Sequence, residues 1–342
     1  MKSQYHEHEL FEPVNLCDER GNLNPEAIGF SKQTLHHCNL RGHWLRKKRW
    51  NYWAIVSPSL LFSITLSNVD YLGLPFVYFL DFESNVFAEK TLLKPFGAGC
   101  NLPPTVDEDL RYDDPAMQIS MLHSEHGIRL TVICPDFEGK PLNADILVQK
   151  LEGHESLNVV IPWSEKRFQF TSKQNTLPAE GEISWGDIRA EFSLENSFAC
   201  LDFGRGVWPF DSFWNWSSFS TRLEDGRTVG VNFGAGWTDG TGMNENGLCI
   251  DGKLTKISED VAFEYDPADF MTPWRIQTSV TDRVDLQFEP FYERIARTDA
   301  LVIRSEVHQM IGRFSGTLHT GDDNLIPIKN AIGWAEDHHA RW

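Results

Sequence analysis

Hydrophobic and polar residues alternate along most of this chain in short runs. The segments Ile128–Val132 and Val284–Phe288 both carry an apolar side chain at every second position. A period of two places one face of a strand toward a core and the other toward water. Long stretches of helical periodicity are nearly absent. The pattern therefore predicts an all-β protein with antiparallel strands, built as sandwiches or barrels.

The two halves of the chain resemble each other in order. Trp50 and Asn51 recur as Trp214 and Asn215, and farther along the segment 183–185 recurs as 332–334 with a shorter spacing. An ordered series of matches indicates tandem β-domains. The polar stretch 172–181 contains proline and glycine, which favour loops. We expect the join there, with domains at residues 1–175 and 176–342.

Length and charge narrow the class of protein. The chain has 342 residues, a formal net charge of -18 and a pI near 5.0. It is long enough for two domains or one large β-architecture. Because a nucleic-acid partner requires clustered positive charge, this balance opposes nucleic-acid binding. The first ten residues lack the apolar core of a signal peptide, and no later stretch reaches membrane-span length, so we expect a cytoplasmic location.

The cysteines and two short motifs exclude further classes. Six cysteines are scattered without a CxxC pair, which is typical of reduced thiols and predicts no metal site of the structural zinc type. Gly234, Gly236 and Gly240 lie among strands with no helical pattern after them, so we expect no dinucleotide cofactor. The basic run 41–50 fits a solvated strand edge, although contact with phosphate or lipid headgroups, and so a transient membrane contact, stays open.

Aromatic residues and glycines are concentrated between residues 203 and 240. Rings of this density beside glycine-punctuated strands indicate close backbone approach and a large aromatic surface. We interpret this segment as the wall of a ligand cavity, with core packing as the alternative. The candidate wall residues are Trp208, Trp214, Trp216 and Trp237.

Carboxylates near these rings are candidates for acid catalysis. A barrel lined by rings and closed around a few acids can protonate an alkene and stabilise the resulting cation on its aromatic faces. A carboxylate beside glycine is also a common turn former. Glu245 and Asn246 should lie at a strand entrance, where a buried carboxylate needs a partner such as Arg205 or Arg341. The candidate acids are Asp202, Asp211, Asp239, Glu245 and Glu336.

The segment 336–339 is the best acid and base cluster by composition. Histidine exchanges protons near neutrality, and on an extended strand Glu336 and His338 would share one face, with Asp337 and His339 on the other. A metal site would need a third ligand that the sequence does not identify. We favour a solvated chain end for this segment.

Three segments resemble an uncharacterised bacterial family: Asp202–Phe210, Asn232–Asn246 and Gly333–Trp342. That family is similar in turn to the tandem lipocalin-like group that contains carotenoid 1,2-hydratases, AttH-type proteins and tocopherol cyclase. The resemblance implies two tandem lipocalin-like antiparallel β-barrel domains and an apolar cavity. No catalytic motif of the hydratases matches this chain, so no catalytic residue is carried over.

Three functions compete on these grounds. The leading hypothesis is binding of an elongated hydrophobic small molecule, a lipid or isoprenoid, without a cofactor. The second is a hydratase, cyclase or isomerase, which a buried carboxylate or carboxylate and histidine pair facing the cavity would favour. The third is carbohydrate recognition on a flat, open tryptophan platform. The candidate catalytic residues are Glu245, Asp239, Glu336 and His338, and the candidate ligand-binding residues are Trp208, Trp214, Trp216, Trp237, Asn246 and Arg205.

Overall fold

The computed structural model describes residues 5–300, 303–320 and 324–342. Within these ranges the chain forms 25 strands and one short 3-10 helix, Pro25–Ala27, which Asn24 caps through its side chain. In chain order the strands are β1 (Val14–Asn15), β2 (Phe30–Ser31), β3 (His36–His37), β4 (Lys47–Val56), β5 (Leu60–Asn68), β6 (Leu72–Asp81), β7 (Phe87–Thr91), β8 (Lys94–Pro95), β9 (Leu110–Asp114), β10 (Met117–Ser124), β11 (Gly127–Phe137), β12 (Lys140–Gln149), β13 (Leu157–Ser164), β14 (Arg167–Trp185), β15 (Ile188–Phe192), β16 (Phe198–Val207), β17 (Asp211–Arg222), β18 (Thr228–Ala235), β19 (Gly247–Ile250), β20 (Lys253–Lys256), β21 (Val261–Glu264), β22 (Trp274–Thr278), β23 (Val284–Ala300), β24 (Ile303–Thr320) and β25 (Asn324–Arg341).

Two large sheets dominate the fold. The first follows the order β7-β6-β5-β4-β16-β14-β12-β11-β10-β9, and the second follows β20-β19-β18-β17-β25-β24-β23-β22-β21. Neighbours along both paths are antiparallel. Each sheet curls into a half-barrel, and the arrangement is consistent with tandem lipocalin-like domains. The predicted all-β, antiparallel fold class is therefore confirmed.

The strand order of the two sheets is the same around their central strands. In each sheet the first long strand pairs with both the second and the last, so β4 corresponds to β17 and β16 to β25. Trp50 and Trp214 occupy the same position in β4 and β17, as the repeat predicts. The match of Trp185 with Trp334 is wrong, because β14 lies one strand away from β16 whereas Trp334 is on β25 itself. Strands with alternating apolar residues resemble one another in sequence, so this short match joined two strands that are not equivalent in the two sheets.

The change from one sheet to the other falls between β16 and β17. The stretch 172–181, where the sequence analysis expects the join, lies inside β14, which pairs with β12, β13, β15 and β16. Most of its residues are buried. Only Trp208–Phe210 separate the last strand of the first sheet from the first strand of the second. We propose these residues as the domain boundary.

The central strands are buried on both faces. Strands β5 and β16 are buried along their whole length. On β4, Trp53 joins the apolar core of the first sheet, whereas its neighbour Tyr52 joins a cluster with Trp216 and Trp334 of the second sheet. Because successive side chains on a strand point to opposite faces, one strand contributes both to the core of its own sheet and to the space between the sheets. That space contains the candidate site.

The six cysteines are all buried and unpaired, as the sequence analysis expects. In the ranges that the structure describes, no helix has the length and apolar character needed to cross a membrane.

Candidate functional site

A cavity of about 250 Å³ lies between the two sheets. Strands β4 to β7, β14 and β16 line it from the first sheet, and β17 and β23 to β25 line it from the second. The sequence folds this way locally because β4 and β17 are central strands, which present alternate residues to the gap between the sheets. Both halves of the repeat therefore contribute to one shared site.

Tryptophans form much of the cavity wall. Trp208 stacks on Trp237 with ring centroids 5.2 Å apart and planes 16° from parallel, and Trp214 lies 5.3 Å from Trp208. Trp50 and Trp342 pack against Trp208 at 5.9 and 5.7 Å. All four tryptophans named from the sequence, Trp208, Trp214, Trp216 and Trp237, line this cavity.

Hydrogen bonds fix the orientation of these rings. The indole N–H of Trp208 donates to Gln169 at 2.7 Å, and that of Trp216 donates to Asn232 at 2.8 Å. A buried indole N–H without an acceptor would be costly, so each partner favours one rotamer of its ring. The wall is therefore held in place before any ligand binds.

Glu336 brings a carboxyl group into this apolar wall. Its Oε1 accepts a hydrogen bond from Trp214 Nε1 at 3.2 Å, and its Oε2 accepts one from Gln309 Nε2 at 3.4 Å. Glu336 is only 6 % exposed. Burial raises the pKa of Glu336 to about 7, because the charged form loses its hydration. The group is thus able to carry a proton at neutral pH.

His338 lies beside Glu336 on the same face of β25. Its Nε2 is 2.8 Å from Ser305 Oγ, and its ring packs on Trp214 with centroids 3.9 Å apart. Burial, aided by Arg294, lowers the pKa of His338 to about 3, so the imidazole is neutral at physiological pH. Asp337 points to the other side of the strand, as the alternation predicts, and pairs there with His339 at 3.1 Å.

The expectation of a solvated chain end is wrong for Glu336, Asp337 and His338, whereas the side chain of His339 is 65% exposed, as expected. Strand β25 lies between β17 and β24 and pairs with both along this segment. A central strand cannot expose both of its faces when the two sheets pack together, so Glu336 and His338 are enclosed.

A buried lysine links two further carboxylates of the cavity. Lys173 Nζ lies 3.0 Å from Asp202 Oδ2 and 3.3 Å from Glu245 Oε2, and it sits 4.2 Å above the Trp216 ring. The other carboxylate oxygen of Glu245 accepts a hydrogen bond from Trp237 Nε1 at 2.9 Å. Burial raises the pKa of Glu245. Burial opposes the charge of Lys173, but the two carboxylates outweigh this effect and raise the pKa of the amine.

The predicted arginine partners of Glu245 are wrong. Arg205 is buried on the far side of β16, where it donates to the carbonyls of Trp50 and Pro103 and to Asn51 Oδ1. Arg341 pairs at the surface with Asp211 at 2.9 Å. Lysine supplies the partner instead, because β14 lies next to β16 and carries Lys173 directly opposite Asp202 in register.

Three of the candidate catalytic and ligand-binding residues lie outside the cavity, as does the candidate acid Asp211, which is at the surface. Asp239 is exposed in a turn and accepts a hydrogen bond from the Gly236 N–H at 3.3 Å. Asn246 is buried, but it donates to the Glu259 carbonyl and accepts from the Gly234 N–H. Arg205 is the third. The structure therefore brings together Glu245, Glu336 and His338 with the four tryptophans, and leaves these three apart.

Several polar residues of the cavity carried no usable signal in the sequence. Gln309 accepts a hydrogen bond from Tyr78 at 2.9 Å and so joins β24 to the first sheet. Arg294 makes two hydrogen bonds of 2.9 Å to Glu89, again between the sheets. Each is a single polar residue within a long strand. Only the pairing of distant strands reveals that these side chains face a shared interior.

A wider and more open groove of about 1000 Å³ lies on the outer side of β25, where it includes Asp337 and His339. A second histidine of this groove, His308, contacts Glu293 at 2.7 Å and Glu306 at 3.0 Å. Among the residues that the structure describes, no group of three or more His, Cys, Asp or Glu side chains is placed to hold a metal ion.

The fold and the cavity together define a tandem lipocalin-like β-protein with one buried polar site between its two sheets. The chain belongs to the family described as Domain of unknown function (DUF2804), whose model matches residues 7–342. A search of curated proteins found no significant match.

The solved structures that match this chain share little sequence with it. An AttH-like protein from Nitrosomonas europaea has a TM-score of 0.51 at 13% identity, and the match covers 85% of this chain and 92% of that one. CghA with Sch210972 has a TM-score of 0.45 at 9% identity, covering 87% and 89%. Kievitone hydratase from Nectria haematococca has a TM-score of 0.43 at 8% identity, covering 87% and 89%. The resemblance to the lipocalin-like group is confirmed, and at these identities it concerns the fold alone.

Proposed function

We propose that this protein binds a small, mainly apolar molecule between its two sheets and transfers a proton to it from Glu336. A hydratase, cyclase or isomerase reaction on an unsaturated ligand fits this chemistry. The observation that carries the proposal is a carboxyl group with a pKa of about 7, enclosed in a tryptophan-walled cavity. No cofactor takes part in the proposed step.

The acidity of Glu336 suits general acid catalysis. With a pKa of about 7, about half of the molecules carry the proton at pH 7. Proton transfer is most effective when the pKa of the acid lies near the working pH. Protonation of an alkene carbon leaves a cation, and the aromatic rings that line the cavity would stabilise it. The proton released when water adds, or when a neighbouring C–H bond breaks, returns to the Glu336 carboxylate.

His338 has a supporting role in this proposal. A neutral imidazole beside Glu336 does not compete for its proton, because the pKa of His338 is lowered to about 3. Its contact with Ser305 fixes the ring against Trp214. His338 and Ser305 thus hold the Trp214 indole, whose N–H donates to Glu336.

Binding without chemistry is the second candidate, and the Glu336 environment argues against it. A carrier gains its affinity from apolar surface, whereas a buried carboxyl group reduces stability and adds little to the binding of an apolar ligand. Carbohydrate recognition needs an open, flat platform. Trp208 and Trp237 are 4 % and 7 % exposed and face an interior cavity.

The size of the cavity limits the ligand. Ligand pockets commonly have volumes of about 300 to 1,000 Å³, and this one has about 250 Å³. A compact ring system or a short branched chain therefore fits better than the elongated molecule that the sequence analysis expects.

Deuterium exchange tests the proposed proton transfer. We expect the protein to bind geraniol and, in D2O, to promote deuterium incorporation into its alkene carbons, measured by mass spectrometry. The Glu336→Gln variant should bind geraniol with similar affinity but incorporate no deuterium above the buffer rate, because its amide cannot donate an acidic proton. Glu289→Gln, an exposed change on β23, is the matched control and should behave as the wild type. Binding without exchange in the wild type would favour a carrier, and equal exchange in both proteins would exclude Glu336 as the acid.

A further inference from the structure

Acidic side chains outnumber basic ones in the lining of the cavity. Four carboxyl side chains line it, and among the lining residues in the described part of the chain only two are lysine or arginine. The carboxyl residues are Glu89, Asp202, Glu245 and Glu336, and the cations are Lys173 and Arg294.

Both cations are already engaged with carboxylates. Arg294 donates from Nε and Nη2 to the two oxygens of Glu89, each at 2.9 Å, which is the two-point geometry of a strong pair. Lys173 is shared between Asp202 and Glu245, at 3.0 and 3.3 Å. A ligand that claimed either cation would leave a buried carboxylate without its partner, which is strongly unfavourable.

Other basic groups near the cavity add little positive charge at pH 8, and Lys256 is already paired with Glu7 at 2.6 Å. His338 is neutral, as described above. Lys48 is not among the lining residues, and its Nζ is 5.0 Å from the Trp342 ring centroid and hydrogen-bonded to the Tyr71 hydroxyl and the Val69 carbonyl. Burial lowers the pKa of Lys48 to about 7, so a part of the population is uncharged.

We infer that the cavity selects ligands whose enclosed portion, the part that lies between the sheets, has no negative charge. Carboxylates and other anions are rejected. The inference deepens the proposed function and rests on it, since both concern the same cavity. An anion entering this space loses its hydration and meets surplus carboxylates. Alcohols, hydrocarbons and other uncharged molecules lose far less. The substrate class is therefore a neutral unsaturated compound such as an alcohol or a hydrocarbon, and free fatty acids and related carboxylates are excluded.

A pair of probes with the same ring tests this selection. Isothermal titration calorimetry at pH 8 would compare 2-naphthalenemethanol, which is neutral, with 2-naphthoate, which is an anion. We expect the alcohol to bind the wild type at least about tenfold more tightly than the carboxylate, because the carboxylate would lose its hydration beside the lining carboxylates that repel it. The Glu336→Gln variant removes one carboxylate from the cavity, so the ratio of the two affinities should fall. Glu289→Gln should leave the ratio unchanged.

The outcomes separate the two proposals. Equal affinities of the wild type for both probes would overturn the charge selection and leave the cavity proposal standing. An unchanged ratio in Glu336→Gln would show that cavity charge does not cause the preference, and it would also overturn the inference. If neither probe binds to folded protein, the cavity proposal fails and the inference falls with it. Should Glu336→Gln fail to fold, Asp202→Asn provides the same removal of a lining carboxylate.

Discussion

Replacing Glu336 with glutamine should stabilise the protein in alkaline solution and destabilise it slightly in acid, where only the hydrogen bond from Gln309 is lost. Folding raises the pKa of this carboxyl from 4.5 to about 7. The folded state therefore holds the proton more tightly than the unfolded state does. Below pH 4.5 the Glu336 carboxyl is protonated in both the folded and the unfolded state, so its ionisation does not reduce the free energy of unfolding. As the pH rises from 4.5 through 7, the free energy of unfolding of the wild type decreases, and above 7 the decrease is complete.

The size of the effect follows from the pKa difference. One unit of pKa corresponds to about 1.36 kcal/mol, so a rise from 4.5 to about 7 corresponds to about 3 kcal/mol. Glutamine keeps an acceptor for the Trp214 indole but presents an amide to Gln309, and the lost hydrogen bond offsets about 1 kcal/mol of the gain. The expected net stabilisation at pH 8.5 is about 2 kcal/mol.

Urea unfolding followed by tryptophan fluorescence measures this difference. The wild type, Glu336→Gln and the exposed control Glu289→Gln would be compared from pH 5 to 9, with the slope of the urea dependence checked for constancy. Other titrating groups act equally in all three proteins, so the difference between curves isolates Glu336. A difference that stays constant across this pH range would refute the raised pKa and remove the main support for Glu336 as an acid.

Three further results are expected. Lys173→Met leaves Asp202 and Glu245 buried without their cation, so it should lower the free energy of unfolding by about 3 to 5 kcal/mol at pH 8. The loss should be smaller at pH 5, where Glu245 protonates more readily, and an equal loss in urea unfolding at both pH values would contradict this. Gly234→Ala would place a Cβ 2.1 Å from Glu245 Oε1, so it should displace that carboxylate and weaken 2-naphthalenemethanol binding in calorimetry, and unchanged affinity would argue against a wall role for Glu245. Thiol titration of denatured, non-reduced protein should count six thiols, and a stable count of two or fewer would oppose unpaired cysteines. Native protein should react slowly, because burial raises the pKa of thiols such as that of Cys200, to about 12.

The sequence predicts those features that depend on local pattern. Alternation places Ile128–Val132 inside β11 and Val284–Phe288 inside β23, both as strands. The same alternation puts Glu336 and His338 on one face of β25 and Asp337 and His339 on the other. These features follow because the direction of a side chain on a strand depends only on its position along the strand.

The features that depend on distant pairing could not be read in this way. The stretch 172–181 is polar and looks like a linker, yet it is part of β14 and is mostly buried. Its polarity reflects the site rather than the surface, since Lys173 faces the cavity and pairs with Asp202. A polar segment is expected in solvent unless its partners are known, and these partners lie on other strands. The enclosed position of Glu336 has the same origin, because it depends on β17 and β24 flanking β25.

The pairing of β17 with β25 has a consequence for synthesis on the ribosome. Strand β17 emerges early in the second sheet, but one of its two neighbours is the last strand of that sheet to be made. Until β25 arrives, β17 presents an unpaired edge with open backbone donors and acceptors, which is prone to join another chain. Glu336 and His338 arrive on that same strand. The nascent protein therefore acquires its candidate acid in the step that protects this edge, and a chain stalled before β25 would both lack this acid and be liable to aggregate.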